Sequence, residues 1–340
     1  MRAALRLPRS LTKSSPARVY VSLVTRRTIL SLPAITFALV AASFAVRPAS
    51  TQEASISTAV HGAPLTVSVH PRIHAGAIDS LVFRGVQYVD NHDHGRQIQT
   101  AVQVDNLGEC FNPTEAGSRA DDASHGTSSV IRKLSASGNV LRTETQGAFW
   151  LSPGEAYGRA CSPYRAETGA QNNSILSNYL IDRRTRFYGP SIPNLLIVDV
   201  SITFPETRQS ASIEALTGYL PGSFRSFYSF DPQSRHLQPL AAGPEAGRTT
   251  EPVIIATPDG RNAMGVFSRS ITGAHPDHAY YAYFYFPAGG ATAKWSCVFG
   301  EAQIHAGATY HYSCPIAVGT LDEVTAAIAA YVEATTTGRR

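Results

Sequence analysis

Beyond its first 46 residues the chain has no apolar run near the ~20 residues that a membrane-spanning helix needs. It has no acidic residue before Glu53 and no basic stripe after Arg47, and it has no C-x2-C pair, no glycine-rich nucleotide loop and no Ser-centred nucleophile elbow. Each absence removes a class of function. Without a nucleotide loop or an elbow, dehydrogenase, kinase and ordinary esterase readings have nothing to stand on. Without C-x2-C spacing, a structural zinc site built on the cysteines is disfavoured. Without a basic stripe, neither nucleic acid nor an anionic lipid surface is an expected partner.

What the first 47 residues do contain is eight basic side chains, from Arg2 to Arg47. Within them Thr25-Arg26-Arg27-Thr28 leads into the apolar run 29–46, which Pro33 interrupts and which ends in small residues around Ala45. This pattern predicts an export signal of twin-arginine type over 1–47, with a long basic extension in front and cleavage at a small-x-small site. Removing it takes the formal charge from +4 to about −4, so the basic isoelectric point belongs to the leader. Residues 48–62 read as a linker, 63–334 as one domain and 335–340 as a frayed tail. The expected location is outside the cytoplasm, in the periplasm, the envelope or the medium.

An even count of four cysteines in an exported chain favours bridges. Cys297 and Cys314 stand at equal distances from the centre of an expected hairpin turning near 305–307, which favours a Cys297–Cys314 bridge and leaves Cys110–Cys161 as the second.

Short segments rich in Val, Ile, Tyr, Phe and Thr recur between Gly, Pro, Asn and Asp, among them 65–70, 96–104, 195–204, 253–257, 263–268 and 310–318. That rhythm predicts an all-β, mainly antiparallel fold, large enough for a β-sandwich. The run 279–286, AYYAYFYF, is aromatic on both faces and is expected in the interior of the sandwich. Pro258-Asp259-Gly260-Arg261 predicts a hairpin turn. One helix is expected over 320–333, capped by Thr320 and Glu323, with Val324, Ile328 and Val332 on its buried face.

The densest polar constellation is 90–99, DNHDHGRQIQ, followed by Glu109, Asn112 and Glu115 around Cys110. Several chemistries suit these residue types. Glu109 and Glu115 have the character of the acid/base pair of glycoside hydrolysis. His94, or His92, suits proton transfer near neutral pH, with Arg96 holding a uronate carboxylate. Asn91, His92, Asp93, Gln97, Gln99 and Asn112 would line the sugar, with His125 on a loop over it and Tyr179 and Arg183 on a strand facing the groove. The plain alternative is that 90–93 is a turn and that 112–115 is a capped turn braced by a disulfide. No metal and no cofactor is expected, because His92 and His94 lack a third ligand at a known spacing.

Gly76–Val89 (GAIDSLVFRGVQYV) followed by Gly95-Arg96-Gln97-Ile98-Gln99 resembles the opening of domains in the galactose-mutarotase-like superfamily. The resemblance covers some 30 residues and implies a large antiparallel β-supersandwich that acts on or binds carbohydrate, with Asp93, Gly95, Arg96 and Gln97 at the matching positions. The expectation carried forward is therefore an exported carbohydrate-active protein, a hydrolase or polysaccharide lyase, with a non-catalytic glycan-binding or envelope protein as the alternative.

Overall fold

Alternation of apolar and polar residues at period two builds most of the molecule. The computed structural model describes residues 52–337 except 123, 273 and 276, so the export signal expected over 1–47 lies outside the described residues. Four short strands, from Ala54–Val60 to Val86–Gln87, form one antiparallel sheet, and sixteen more form a long, curled second sheet. Ala54–Val60 falls inside the stretch expected to be a linker; it pairs along its whole length with Ala63–Val69 and buries Ile56 and Val60.

The two halves of the long sheet meet through Pro113–Thr114, which pairs with Gln99–Val104 on one side and with Val140–Phe149 on the other. One half carries Val140–Phe149, Leu176–Phe187 and Leu195–Thr203; the other carries Gln99–Val104, Arg208–Pro221, Thr292–Ile304, Ala279–Phe286 and Gly247–Thr249. Ile181, Val198, Ile213, Tyr281 and Trp295 from the two halves share one buried cluster with Leu65 and Phe83 of the small sheet. The expected fold class, a large and mainly antiparallel β-sandwich with a C-terminal helix, is the one observed.

That helix runs Leu321–Thr337, four residues beyond its expected end. Its start is a reciprocal cap: the Glu323 amide donates to Thr320 Oγ1 at 3.2 Å and the Thr320 amide to Glu323 Oε2 at 2.8 Å. Val324 and Ile328 are buried against Ile254 and Ala317. The turn at Pro258-Asp259-Gly260-Arg261 joins Val253–Ala256 to Ala263–Val266 as expected, with Gly260 at φ +68°.

The cysteine expectation divides. Cys110–Cys161 is a disulfide. Cys297 and Cys314 are buried free thiols, and the expected hairpin between them does not exist. Thr292–Ile304 pairs with Arg208–Pro221 and Ala279–Phe286, whereas Thr309–Ser313 pairs with Leu195–Thr203 in the opposite half. The two thiols still meet across the core, and burial, followed by the adjacent Cys314, holds the Cys297 thiol well above its ordinary range. Neither should react with an aromatic disulfide reagent in the native protein, and denaturant should expose two thiols. Rapid native labelling, or no thiol after denaturation, would contradict this arrangement.

Candidate functional site

On the half-sheet made by Gln99–Val104, Arg208–Pro221, Thr292–Ile304 and Ala279–Phe286, one face packs on the core and the other floors an open groove. Val102, Ile213, Tyr281, Trp295 and Cys297 point into the core. Gln99, Ala101, Gln103, Tyr280, Phe284, Lys294 and Val298, at alternate positions, line a cavity of about 460 Å³. The aromatic run 279–286 is therefore covered on one side only; the expectation that it lay wholly in the interior is corrected.

Along Arg208–Pro221 the alternation breaks. A bulge between Glu214 and Leu216 leaves Ala215 unpaired against both neighbouring strands, and the Ala215 carbonyl accepts from Thr100 Oγ1 at 2.8 Å. Before the bulge the even residues Ser212 and Glu214 face the groove, and after it the odd residues Thr217 and Tyr219 do. The extra residue thus brings Glu214 and Tyr219 onto one wall.

Glu109 enters from the 3-10 turn Gly108–Phe111, and its carboxylate accepts from Asn112 Nδ2 at 2.9 Å. The turn is pinned by the adjacent Cys110–Cys161 bridge and by the Glu109 amide, which donates to the Cys161 carbonyl at 3.3 Å. Gly108 is required here: it sits at φ +55°, and a Cβ would lie 2.1 Å from the Cys161 oxygen. Burial pushes the Glu109 carboxyl above the usual carboxylate range, the hydrogen bond from Asn112 and the charge of Lys294 opposing it and Glu214 adding to it.

Across the floor, Lys294 Nζ lies 3.1 Å from Glu214 Oε1, 5.1 Å from the Tyr219 ring centre and 5.3 Å from that of Phe284. Burial works against the ammonium, but Glu214 and Tyr219 outweigh it and hold Lys294 above its ordinary range. Burial keeps the Tyr219 phenol up as well, against the pull of Lys294. The rim carries Trp150, packed where a Cβ on Gly95 would come within 2.6 Å, together with Arg159 over Tyr157 and Arg248 over Tyr280 at 4.5 Å. Lys294, Arg159 and Arg248 stand against Glu109 and Glu214, so the lining carries three cations and two carboxyls.

Of the residues expected at the site, Gln99, Glu109 and Asn112 line this cavity, as does Gly95. Gln99 also holds the loop, donating to the Gly95 carbonyl at 2.9 Å. Others from the 90–99 cluster bond to one another behind the wall. Arg96 joins Asp90 at 3.2 Å, Asp93 at 3.1 Å and the Gly290 carbonyl at 2.8 Å. Gln97, fully buried, donates to the Asp93 carbonyl and to Asn91, which in turn donates to the Asp79 carbonyl. His94 contacts the Ile73 carbonyl at 2.7 Å and packs on His74, while the His92 ring lies beside Gly290.

The remaining candidates lie elsewhere. Glu115 does not share the cavity with Glu109; it pairs with Arg183 at 2.6 Å, both being at most 1 % exposed. Thr114 faces the cavity, and strand alternation turns its neighbour Glu115 inward. Tyr179 is also in the core, against Phe204 and Phe111. His125 is exposed and bonded to Asp122 at 2.8 Å. Among the described residues no group of three His, Cys, Asp or Glu is arranged to hold a metal ion. Glu214 and Lys294 escaped sequence reasoning; the signal available was a lone Lys amid the aromatic and β-branched residues of 292–299.

No family model matches the chain, and no curated protein does. Solved structures that it resembles include a galactose mutarotase-like protein from Clostridium acetobutylicum, at 6% identity and TM-score 0.42, over 78% of this chain and 98% of that one. A heparan sulfate lyase from Pedobacter heparinus is similar at 10% identity and TM-score 0.43, over 80% of this chain and 36% of that one. An α-mannosidase from Enterococcus faecalis is similar at 11% identity and TM-score 0.44, over 78% and 30%. The chain spans well under half the length of the lyase and the mannosidase, and a likeness at this level concerns layout alone.

Proposed function

We propose that this chain is an exported carbohydrate-active enzyme that cleaves a glycan in the groove over Glu109. The observation that carries the reading is the contrast between two carboxyls on one cavity: Glu109, pushed up by burial, and Glu214, ion-paired to Lys294. A protonated Glu109 donates its proton to the glycosidic oxygen as the C–O bond breaks. The Glu214 carboxylate faces the positive charge that develops on the sugar ring or orients the water that adds to it. Trp150, Tyr157 and Phe284 offer apolar ring faces to sugar C–H groups, and Gln99, Gln103 and Asn112 offer amides to hydroxyls. Export rests on the basic leader with its Arg26-Arg27 pair and agrees with the Cys110–Cys161 bridge.

Tyr219 beside Lys294 favours a second reading, β-elimination on a uronic acid. There an Arg at the rim binds the carboxylate, and Tyr219 takes the proton from the carbon beside it and returns one to the departing glycosidic oxygen as that C–O bond breaks and a C=C bond forms. The test is a panel of pectate, alginate, hyaluronan, xylan and starch, read for reducing ends and for unsaturated-product absorbance together. Reducing ends alone mean hydrolysis, and absorbance with them means elimination. Binding by calorimetry without either product leaves a glycan-binding protein. Silence in both measurements overturns the glycan reading.

A further inference from the structure

We infer that the cavity at Glu109 is one end of a longer groove, whose second part holds further sugar residues of the same chain and uses Tyr164 as its stacking platform. The inference rests on the glycan reading of the first cavity and adds the substrate's length: an oligomer or polymer, not a free monosaccharide.

A second cavity of about 670 Å³ adjoins the first, and Gln103, Ser212, Arg248, Tyr280 and Val298 line both. The shared floor residues place the two side by side on one face of the sheet. The floor follows the strand Thr292–Ile304 from Lys294 to Ala302, which at ~3.4 Å per residue is roughly 27 Å. A hexose is several times shorter. A groove of that length, open to solvent along one side, matches an extended chain better than a closed pocket for one ring does.

Its lining changes character on the way. The first part holds the paired charged groups Glu214 and Lys294 beside Glu109, whereas the second offers the hydroxyls of Ser210 and Ser212 and the amides of Gln103 and Asn106, with Asp277, His278 and Glu301 also in its lining. Hydroxyls and amides of this kind suit sugar hydroxyls, and we assign this end to gripping the chain. Where the two parts join, Arg248 lies 4.5 Å over the Tyr280 ring, a flat cationic surface on which a sugar bearing a carboxylate can rest.

Tyr164 stands at the edge of this second part with 71% of its surface exposed, against 38% for Val130, the other exposed large apolar side chain among the described residues. A ring so exposed is ordinary on a floppy loop, but this one is on a braced turn. Its amide donates to Ser162 Oγ at 3.2 Å, Ser162 bridges to Arg165, and Cys161 ties the turn to Cys110. Holding the turn's backbone in place before ligand arrives lowers the ordering cost that would otherwise erode a stacking contact. The same disulfide positions Glu109, so the reacting end and the gripping end are set by one crosslink.

The experiment measures binding by calorimetry to the di-, tetra- and hexasaccharides cut from whichever panel polymer the protein turns over or binds. The wild type should bind the hexasaccharide at least about tenfold more tightly than the disaccharide. Tyr164→Ala should remove roughly three- to tenfold of that gain while leaving the disaccharide affinity unchanged, and Tyr164→Phe should keep it. Equal affinities for short and long chains, or a length gain that survives in Tyr164→Ala, would overturn the inference and leave the glycan reading standing. A panel without binding or turnover would overturn both.

Discussion

If the proposed glycan cleavage holds, Glu109→Gln should lower kcat on the polymer cleaved by on the order of 10²–10⁴-fold while changing KM little. Glutamine keeps the shape and the hydrogen bond with Asn112 but has no proton to give. The buried position of the carboxyl also fixes the pH dependence. Burial raises its pKa, so the protonated, donating form persists above the ordinary carboxylate range, and kcat/KM falls as pH rises through the folded-state value. The residual activity of Glu109→Gln should lack that limb. If the variant keeps wild-type kcat, or loses activity with the limb still present, Glu109 is not the proton donor. Stability shares the same linkage. Where the folded pKa exceeds the unfolded one, the folded state binds more protons, so the contribution of Glu109 is greatest below the unfolded value of about 4.3 and declines as pH rises through the folded value. Urea melts across that window should show a drop in the wild type that the Gln variant lacks.

Glu115→Ala should destabilise the protein by about 3–5 kcal/mol, on the order of 10 °C in Tm. Glu115 is one half of an ion pair sealed in the sandwich. Arg183 donates to Glu115 at 2.6 Å, to the Ile98 carbonyl at 3.1 Å and to the Gly76 carbonyl, and Glu115 Oε2 accepts from the Thr100 amide at 3.2 Å. Without Glu115 the guanidinium remains buried with no counter-charge. The double variant Glu115→Gln, Arg183→Met removes both charges together and should recover at least half of the loss. A Glu115→Ala protein that melts with the wild type would show that the pair carries no such strain. The same residue, as Gln, also separates this role from chemistry: any loss of activity should follow unfolding and not kcat at low temperature.

The features that could be read from the sequence are those whose cause is local. The capping box at Thr320 and Glu323 and the turn at Pro258–Arg261 are decided within a few residues, and strand rhythm follows from alternation. Glu109 was also within reach, because its neighbour Cys110 anchors it. The sequence could not say which face of a strand meets water. Thr114 and Glu115 are adjacent, and only the packing of Leu176–Phe187 behind them decides that the Glu is the buried one. The polar cluster 90–99 looked like a site because it is rich in His, Asn and Arg. It is a loop that satisfies its own donors and acceptors, and apart from Gly95 and Gln99 its side chains serve the wall. The thiols of Cys297 and Cys314 meet through strands paired in opposite halves of the molecule, a contact that spacing along the chain does not encode. The Glu214–Lys294 pair depends on an irregularity in the ladder, which strict alternation would have placed on opposite faces from Tyr219.

Ala215 acts on the groove as a reading frame acts on a message. Upstream of it the wall is written in even positions and downstream in odd ones, so a regular strand that kept that alanine in the ladder would exchange Thr217 and Tyr219 for Gly218 and Leu220 along the groove. An aromatic phenol would be driven into the core and an aliphatic side chain turned toward the groove. Most substitutions in this strand edit single letters, whereas pressing the extra residue back into the ladder rewrites the wall beyond it.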